Sequence, residues 1–246
     1  MTAFRSDLHI HTVLSPCGDL EMSPSNIVEE AARKGLDIIG ITDHNTTLHC
    51  SLVKKLAEKK GIYVMTGAEV TTKEEVHCLV FFENNEKLKL LQDYLDKYLP
   101  DILNVPEIFG HQVQVDEDEK IIYTEEKLLA NAIKIPVNEL EEFVHSLGGI
   151  FIPAHIDRLK NSIYSQLGFI PGNLRADALE VSKITKVEEF AGIHPEILKY
   201  PITRSSDSHF PGSIGEATTT FFIEERSFGE VKMALAGIEG RSISIL

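Results

Sequence analysis

The sequence predicts an α/β fold built on a sheet or barrel of mostly parallel strands. Short apolar runs of strand character alternate with amphipathic helical patterns, the signature of strand–crossover–strand units. The 246 residues, 43% of them hydrophobic, suffice for one sizeable core and match the length of an α/β barrel domain. Chemistry-bearing side chains also directly follow the apolar runs, at the C-terminal strand ends where such barrels carry their functional groups.

The strand runs are DIIGIT (37–42), IYVMTGAEV (62–70), CLVFF (78–82), GIFIPA (149–154), ALEVS (178–182) and TTTFFI (218–223). Between them, SPSNIVEEAARKG (23–35) offers Ser23 as N-cap, Pro24 at the first helical position and Gly35 at the end. PVNELEEFVHSLGG (136–149) and SFGEVKMALAGIEG (227–240) read the same way, the latter capped by Ser227. Two places break the alternation. Only KEE separates GAEVTT from VHCLVFF, too short for a crossover helix, so these strands form an antiparallel hairpin. From about 100 to 123, LNVPEIFG and HQVQVDEDEKIIYT read as an excursion with a small hairpin turning at DEDE, placed to cover the site. No repeat, linker or low-complexity stretch divides residues 1–246, which are expected to form one domain.

Composition excludes several classes. No stretch reaches the ~20 apolar residues of a membrane span, and MTAFRSDLHIHT lacks the basic and apolar regions of a signal peptide, so a cytoplasmic protein without membrane partners is expected. Cys17, Cys50 and Cys78 are an odd number without paired spacing, which argues against a disulfide framework or a CxxC zinc site. The formal charge of −14 opposes a broad grip on duplex nucleic acid or anionic membrane. It leaves short oligonucleotides open, because bound metals reverse the local field. The sequence does not set an oligomeric state.

The strongest local signal is Asp7-Leu8-His9-Ile10-His11. Alternate residues of a strand point the same way, so both imidazoles can reach one ion. An isolated HxH is more often two ordinary surface histidines. Here each further candidate falls where a barrel site requires it: Asp43 and His44 after DIIGIT, Glu69 near the end of IYVMTGAEV, His155 after GIFIPA, and Asp207 and His209 at the end of PITRSSDSH. His77 opens the return strand of the hairpin, at the rim where the first strand ended, and shares that rim with Glu69.

This series of HxH, TDHN, GAE, a lone His, PAH and DSH resembles the polymerase and histidinol phosphatase (PHP) superfamily, in order and over nearly the whole chain. The look is that of small stand-alone PHP phosphoesterases, which implies a distorted seven-stranded (β/α)7 TIM-like barrel and a trinuclear metal centre. The nine ligands of that pattern fall on His9, His11, Asp19, His44, Glu69, His77, His155, Asp207 and His209. The resemblance implies His9, His11, Glu69 and Asp207 on a first metal, with Glu69 bridging to a second that His77 and His155 complete, and Asp19, His44 and His209 on a third. At the loop position SPCGDLEMSP offers both Asp19 and Glu21; Asp19 is preferred because CGD keeps a short carboxylate close to a turn. Imidazole with carboxylate suits zinc, iron or manganese, with no thiolate to select among them.

Three divalent ions against three carboxylates leave a net positive charge suited to a phosphate dianion, and a metal-bridging hydroxide would supply the nucleophile. The implied activity is hydrolysis of a phosphomonoester, a small metabolite or nucleotide. The alternative is a phosphodiesterase or 5′–3′ exonuclease on short oligonucleotides, for which the absence of Trp and of a legible basic groove offers little support. A third reading is a non-catalytic, regulatory metal-binding domain. Asp43 is read either as a residue orienting a ligand imidazole through its other ring nitrogen or as a strand-end turn residue, and Asp7 has the same two readings. Arg158 is the first candidate for gripping phosphate, with Lys183 and Arg204 behind it, each against the alternative of an ordinary surface cation. His49, His111, His145 and His194 read as structural or exposed, Cys78 as facing away from His77, and Cys17, between two ligand groups, either as facing the site or, by preference, as a small buried thiol.

Overall fold

The computed structural model describes residues 1–245. The chain runs through β1 (Thr2–Ile10), α1 (Pro24–Arg33), β2 (Ile38–Ile41), α2 (Cys50–Glu58), β3 (Tyr63–Thr71), β4 (His77–Phe82), α3 (Asn85–Tyr98) and α4 (Pro106–Phe109). It continues through β5 (Val113–Val115), β6 (Ile121–Thr124), α5 (Val137–Ser146), β7 (Ile150–Pro153), α6 (Ile163–Leu167), β8 (Leu179–Val181), α7 (Val187–Ile193), β9 (Ile202–Arg204), β10 (Thr219–Ile223), α8 (Phe228–Ala236) and β11 (Ser242–Ser244). Each expected strand run is a strand, and two of the three expected helices start at the caps expected for them, while α5 starts after Pro136 without a side-chain cap. The hydroxyl of Ser23 accepts from Asn26 N with Pro24 opening α1, and that of Ser227 accepts from Glu230 N to open α8.

Seven strands form one mixed sheet in the order β11-β10-β1-β2-β3-β4-β7. β1, β2 and β3 are parallel; β4 returns antiparallel as the hairpin that the three-residue KEE spacer demands, pairing Glu69 with Leu79 and Thr71 with His77. The sheet curls around one apolar cluster containing Leu8, Ile38, Met65, Phe81, Ile152 and Phe221, closed at its base by Phe228 and Val231 of α8. On the outer face, α1 and α2 cover β1 and β2 through Ile27, Val28 and Val53, while α3 and α5 cover β4 and β7 through Leu91, Leu95, Leu140 and Val144. Central strands are therefore buried on both faces, which is why they read as unbroken apolar runs.

A closed (β/α)7 barrel is not formed by one continuous ladder. β8 and β9 make a separate parallel pair. Single bonds join them to their neighbours: Asp177 N to Phe151 O and Ile156 N to Glu180 O on the β7 side, His11 N to Ser208 O and Ser208 N to His9 O on the β1 side. His145 reinforces the first junction from α5, bridging Glu141 and Asp177 while Asp177 also accepts from Phe151 N. Its reading as a structural histidine fits this position.

The excursion contains the expected hairpin, β5 against β6, turning at Asp116–Glu119. Its position differs from the expected cover over the site. Val113 and Val115 pack on Val13, Val115 N donates to His49 Nε2, and Ser23 donates to Glu119. The hairpin thus buttresses the loop after β1 from behind.

β1 carries one extra residue against β2 between Asp7 and Ile10, and this bulge brings the Leu8 carbonyl close over Gly40. A Cβ at position 40 would lie 2.2 Å from Leu8 O, whereas one at Gly229 in α8 would meet nothing within 4 Å. Gly40→Ala should therefore lose about 1–3 kcal/mol of stability in chemical denaturation, with Gly229→Ala showing no loss.

Candidate metal centre

At the rim formed by the C-terminal ends of β1 to β3 and the start of β4, one buried carboxylate is ringed by imidazoles. Glu69 Oε1 lies 2.8 Å from His77 Nδ1, 3.1 Å from His155 Nε2 and 3.3 Å from His9 Nε2. Its Oε2 lies 3.1 Å from His44 Nδ1 and 3.3 Å from His11 Nε2. Asp207 Oδ1 approaches His9 and His11 Nε2 at 3.3 and 3.2 Å. His209 stacks on His11, ring centroids 4.3 Å apart, and its Nδ1 donates to the Asp207 carbonyl.

Local structure explains the convergence. The β3/β4 hairpin sets Glu69 and His77 on one rim, and bonds from Asn45 N to Glu69 O and from Glu69 N to Asp43 O stitch the loop after β2 beside them. His155 and Asp207 adopt φ values of +29° and +51°, a costly region for residues with side chains, so the packing around them must hold the strain. Asp7 does part of this for Asp207. It is fully buried and accepts from Ser206 N, Ser206 Oγ and Gly215 N, clamping both ends of the segment that carries Asp207 and His209. Burial pushes Asp7 up to about 6, against the lowering effect of those hydrogen bonds.

Two residues outside the sequence-derived set orient the imidazoles. Glu180, 2% exposed on β8, accepts from His9 Nδ1 at 3.0 Å and from His155 N at 3.1 Å. Ser15 Oγ lies 3.0 Å from His11 Nδ1 and donates to Asp43 Oδ1 at 2.7 Å. Asp43 therefore touches no ring directly; it acts on His11 through Ser15, and holds Thr12 N and Oγ1 with its two oxygens. An acid inside the apolar run ALEVS was the available signal for Glu180, whereas nothing in the spacing marks Ser15.

The centre opens into a cleft of about 650 Å³. Its walls come from the loops after β7 and β8: Arg158, Leu159, Lys160 and Asn161 on one, Ser182, Lys183 and Ile184 on the other. Arg158 Nη1 reaches Asp207 Oδ2 at 2.5 Å, and Lys183 pairs with Glu216 at 2.5 Å. Arg204 is turned elsewhere, donating to Thr185 O. Among the expected ligands Asp19 is the exception: it is exposed, and its Oδ1 accepts from Glu21 N. Cys17, expected to be buried, is exposed. His49 is buried between Thr12 Oγ1 and Val115 N, His194 lies tilted against Tyr164, and His111 is exposed.

A family model described as the PHP domain matches residues 7–161. The chain belongs to the PHP family. Among its relatives, an uncharacterized Bacillus subtilis protein, YqxK, is 24% identical over 274 residues, covering 99% of this chain and 64% of that protein. The lesion-specific endonuclease Q of Pyrococcus furiosus superposes with a TM-score of 0.73 at 21% identity, covering 98% of this chain and 58% of that one. A protein of Bifidobacterium adolescentis, provisionally named a metal-dependent phosphoesterase, gives a TM-score of 0.54 at 22% identity, covering 84% and 88%. The chain thus spans less than two thirds of YqxK and of endonuclease Q, and the structural likenesses establish shared fold.

The donor set of this PHP chain fits divalent cations. A carboxylate offers about four lone-pair positions, yet five ring nitrogens face Glu69. His9 and His11 present Nε2 to each other at 3.1 Å, and the buried His44 Nδ1 and Asp207 Oδ1 have no hydrogen-bond partner. Donors of His9, His11 and Glu69 lie within 4.8 Å of one another, as do those of His44, Glu69 and His77. Without cations the imidazoles carry the compensating charge unevenly. Burial opposes protonation of His11, but Asp207 and Glu69 outweigh it and raise His11 to about 9. Burial, joined by the His11 charge, lowers His209 to about 4.

In metal-free protein, ring-proton NMR should therefore show His11 titrating near 9 and His209 near 4. His11 is then protonated at pH 7 and must lose that proton to accept an ion, so zinc binding should release protons and tighten as pH rises toward 9. Calorimetry in buffers of different ionisation enthalpy checks the release.

Proposed function

We propose that this PHP chain is a metal-dependent phosphoesterase that hydrolyses a phosphomonoester of a nucleotide or small metabolite. The observation that carries the reading is Glu69 with both oxygens shared among five imidazoles, four of them buried, beside Asp207, at the floor of an open cleft. His9, His11, Glu69 and Asp207 would hold one ion, and Glu69, His77 and His155 a second. His44 and His209 would contribute to a third. Divalent zinc, iron or manganese bound there supplies Lewis acidity toward phosphoryl oxygens and acidifies water toward neutral pH.

The protein groups perform the rest. Glu180 and the Asp43–Ser15 pair fix the ring orientations of His9 and His11, so the donors are in place before substrate arrives. Arg158 stands where the cleft meets the centre, its guanidinium already on a carboxylate oxygen of Asp207; that fork suits a phosphate oxygen pair in the same place. Lys160 and Lys183 extend the positive wall outward. Because Glu69, Asp157 and Asp207 also line the cleft, its attraction for an anion would come chiefly from bound cations.

A phosphodiesterase acting on nucleic acid is the second reading. It is favoured by the likeness to endonuclease Q over 98% of the chain and by Leu159 and Ile184, 94% and 84% exposed on the two cleft walls, where they offer apolar contact to a base.

Metal-reconstituted protein should release phosphate selectively from one monoester in a panel of sugar phosphates, nucleoside monophosphates and bisphosphates, histidinol phosphate and short oligonucleotides. His11→Ala and Asp207→Ala should abolish release while far-UV circular dichroism is retained. Arg158→Ala should raise KM about 10–100-fold, the worth of a charge-assisted contact to phosphate. Cleavage of oligonucleotides without release from any monoester would replace the first reading by the second.

A further inference from the structure

The loop after β1 brings a thiol, not a carboxylate, to the imidazoles on the far side of the centre. Donor atoms of His11, Cys17, His44 and His209 lie within 4.8 Å of one another. Neighbouring donors in a tetrahedral site with Zn–N of about 2.1 Å and Zn–S of about 2.3 Å are roughly 3.3–3.8 Å apart. Small side-chain adjustments would therefore close Cys17, His44 and His209 onto one ion, beside His11 on the first. Asp19, two residues on, stays outside the group, with its Oδ1 engaged by Glu21 N and its side chain in solvent.

An independent observation points to the same place. His44 is 7% exposed, and among the described residues its buried Nδ1 has no hydrogen-bond partner, although Glu69 Oε2 lies 3.1 Å away. Leaving such a nitrogen unpaired is costly, and a cation shared with neighbouring donors removes that cost. The other two cysteines, Cys50 and Cys78, are buried and belong to no donor group among the described residues.

We propose that Cys17 is the loop ligand of the third ion, completing a site with His44 and His209 while His11 stays on the first ion. The inference rests on the metal-centre reading above and replaces the expected Asp19 by a thiolate. On coordination the S–H bond breaks, the sulfur pair goes to the metal and the proton leaves to solvent. A single soft donor makes this position more selective than the others, favouring zinc, cobalt or iron over manganese or magnesium.

The test is cobalt(II) loading of the full chain, read by absorption. Wild-type protein should show a near-ultraviolet thiolate-to-cobalt charge-transfer band together with visible d–d bands. Cys17→Ser should lose the former, keep the latter and bind one ion fewer, whereas Asp19→Asn should keep all three properties. Cobalt should also block alkylation of Cys17 by N-ethylmaleimide, read by mass spectrometry. Visible bands without the charge-transfer band in wild type would overturn the Cys17 assignment while leaving the metal centre intact. Failure to bind cobalt at all would overturn both.

Discussion

Everything at the functional end of this molecule depends on one buried carboxylate facing more imidazole nitrogen than it can satisfy. Glu69 is 1% exposed, and five histidines place a ring nitrogen within 3.3 Å of its two oxygens. An ionised acid in such a position is tolerated only when neighbouring charge offsets its desolvation. Burial works against ionisation of Glu69, yet His77, His9 and His44 hold it well below the usual carboxylate range. The stability that these contacts contribute is therefore present at neutral pH and lost as pH falls through the lowered value of Glu69.

The fold can be understood as the means of holding that arrangement against its own strain. β1 delivers His9 and His11, the β3/β4 hairpin delivers Glu69 and His77, and the strained turns at His155 and Asp207 close the ring from the other side. Behind each stands a second buried group: Asp7 under the Asp207 segment, Glu180 behind His9 and His155, and Asp43 with Ser15 behind His11. Even the β5/β6 hairpin belongs to this support, since it reaches Thr12 through His49. The apolar core fixes the strand ends, and this polar layer fixes the donors.

How much of this was legible in the sequence follows from the range over which each feature is determined. Strand runs such as DIIGIT and GIFIPA, the Ser23 and Ser227 caps and the β3/β4 hairpin are local, and each is where periodicity, capping and spacer length place it. Eight of the nine expected ligands converge because each lies at or just beyond a strand end on one rim. Asp19 fails for the opposite reason: it lies in an irregular loop where Ser15, Gly18 and Met22 backbone bonds decide which side chain turns inward. Glu180 escaped because His9 and His155 are distant in sequence, and Ser15 because its hydroxyl meets His11 and Asp43 within an irregular loop. The separation of β8 and β9 from the main ladder was equally hidden, since pairing across the ring depends on junctions built from single bonds.

The most direct measurement of the central claim is anomalous diffraction from a crystal of the protein soaked in zinc or manganese. At least two anomalous peaks should flank Glu69, one on the side of His9, His11 and Asp207 and one on the side of His77 and His155, with Glu69 shared between them. A metal-saturated crystal in which no peak lies at Glu69, and the imidazoles donate hydrogen bonds directly to its oxygens, would contradict it.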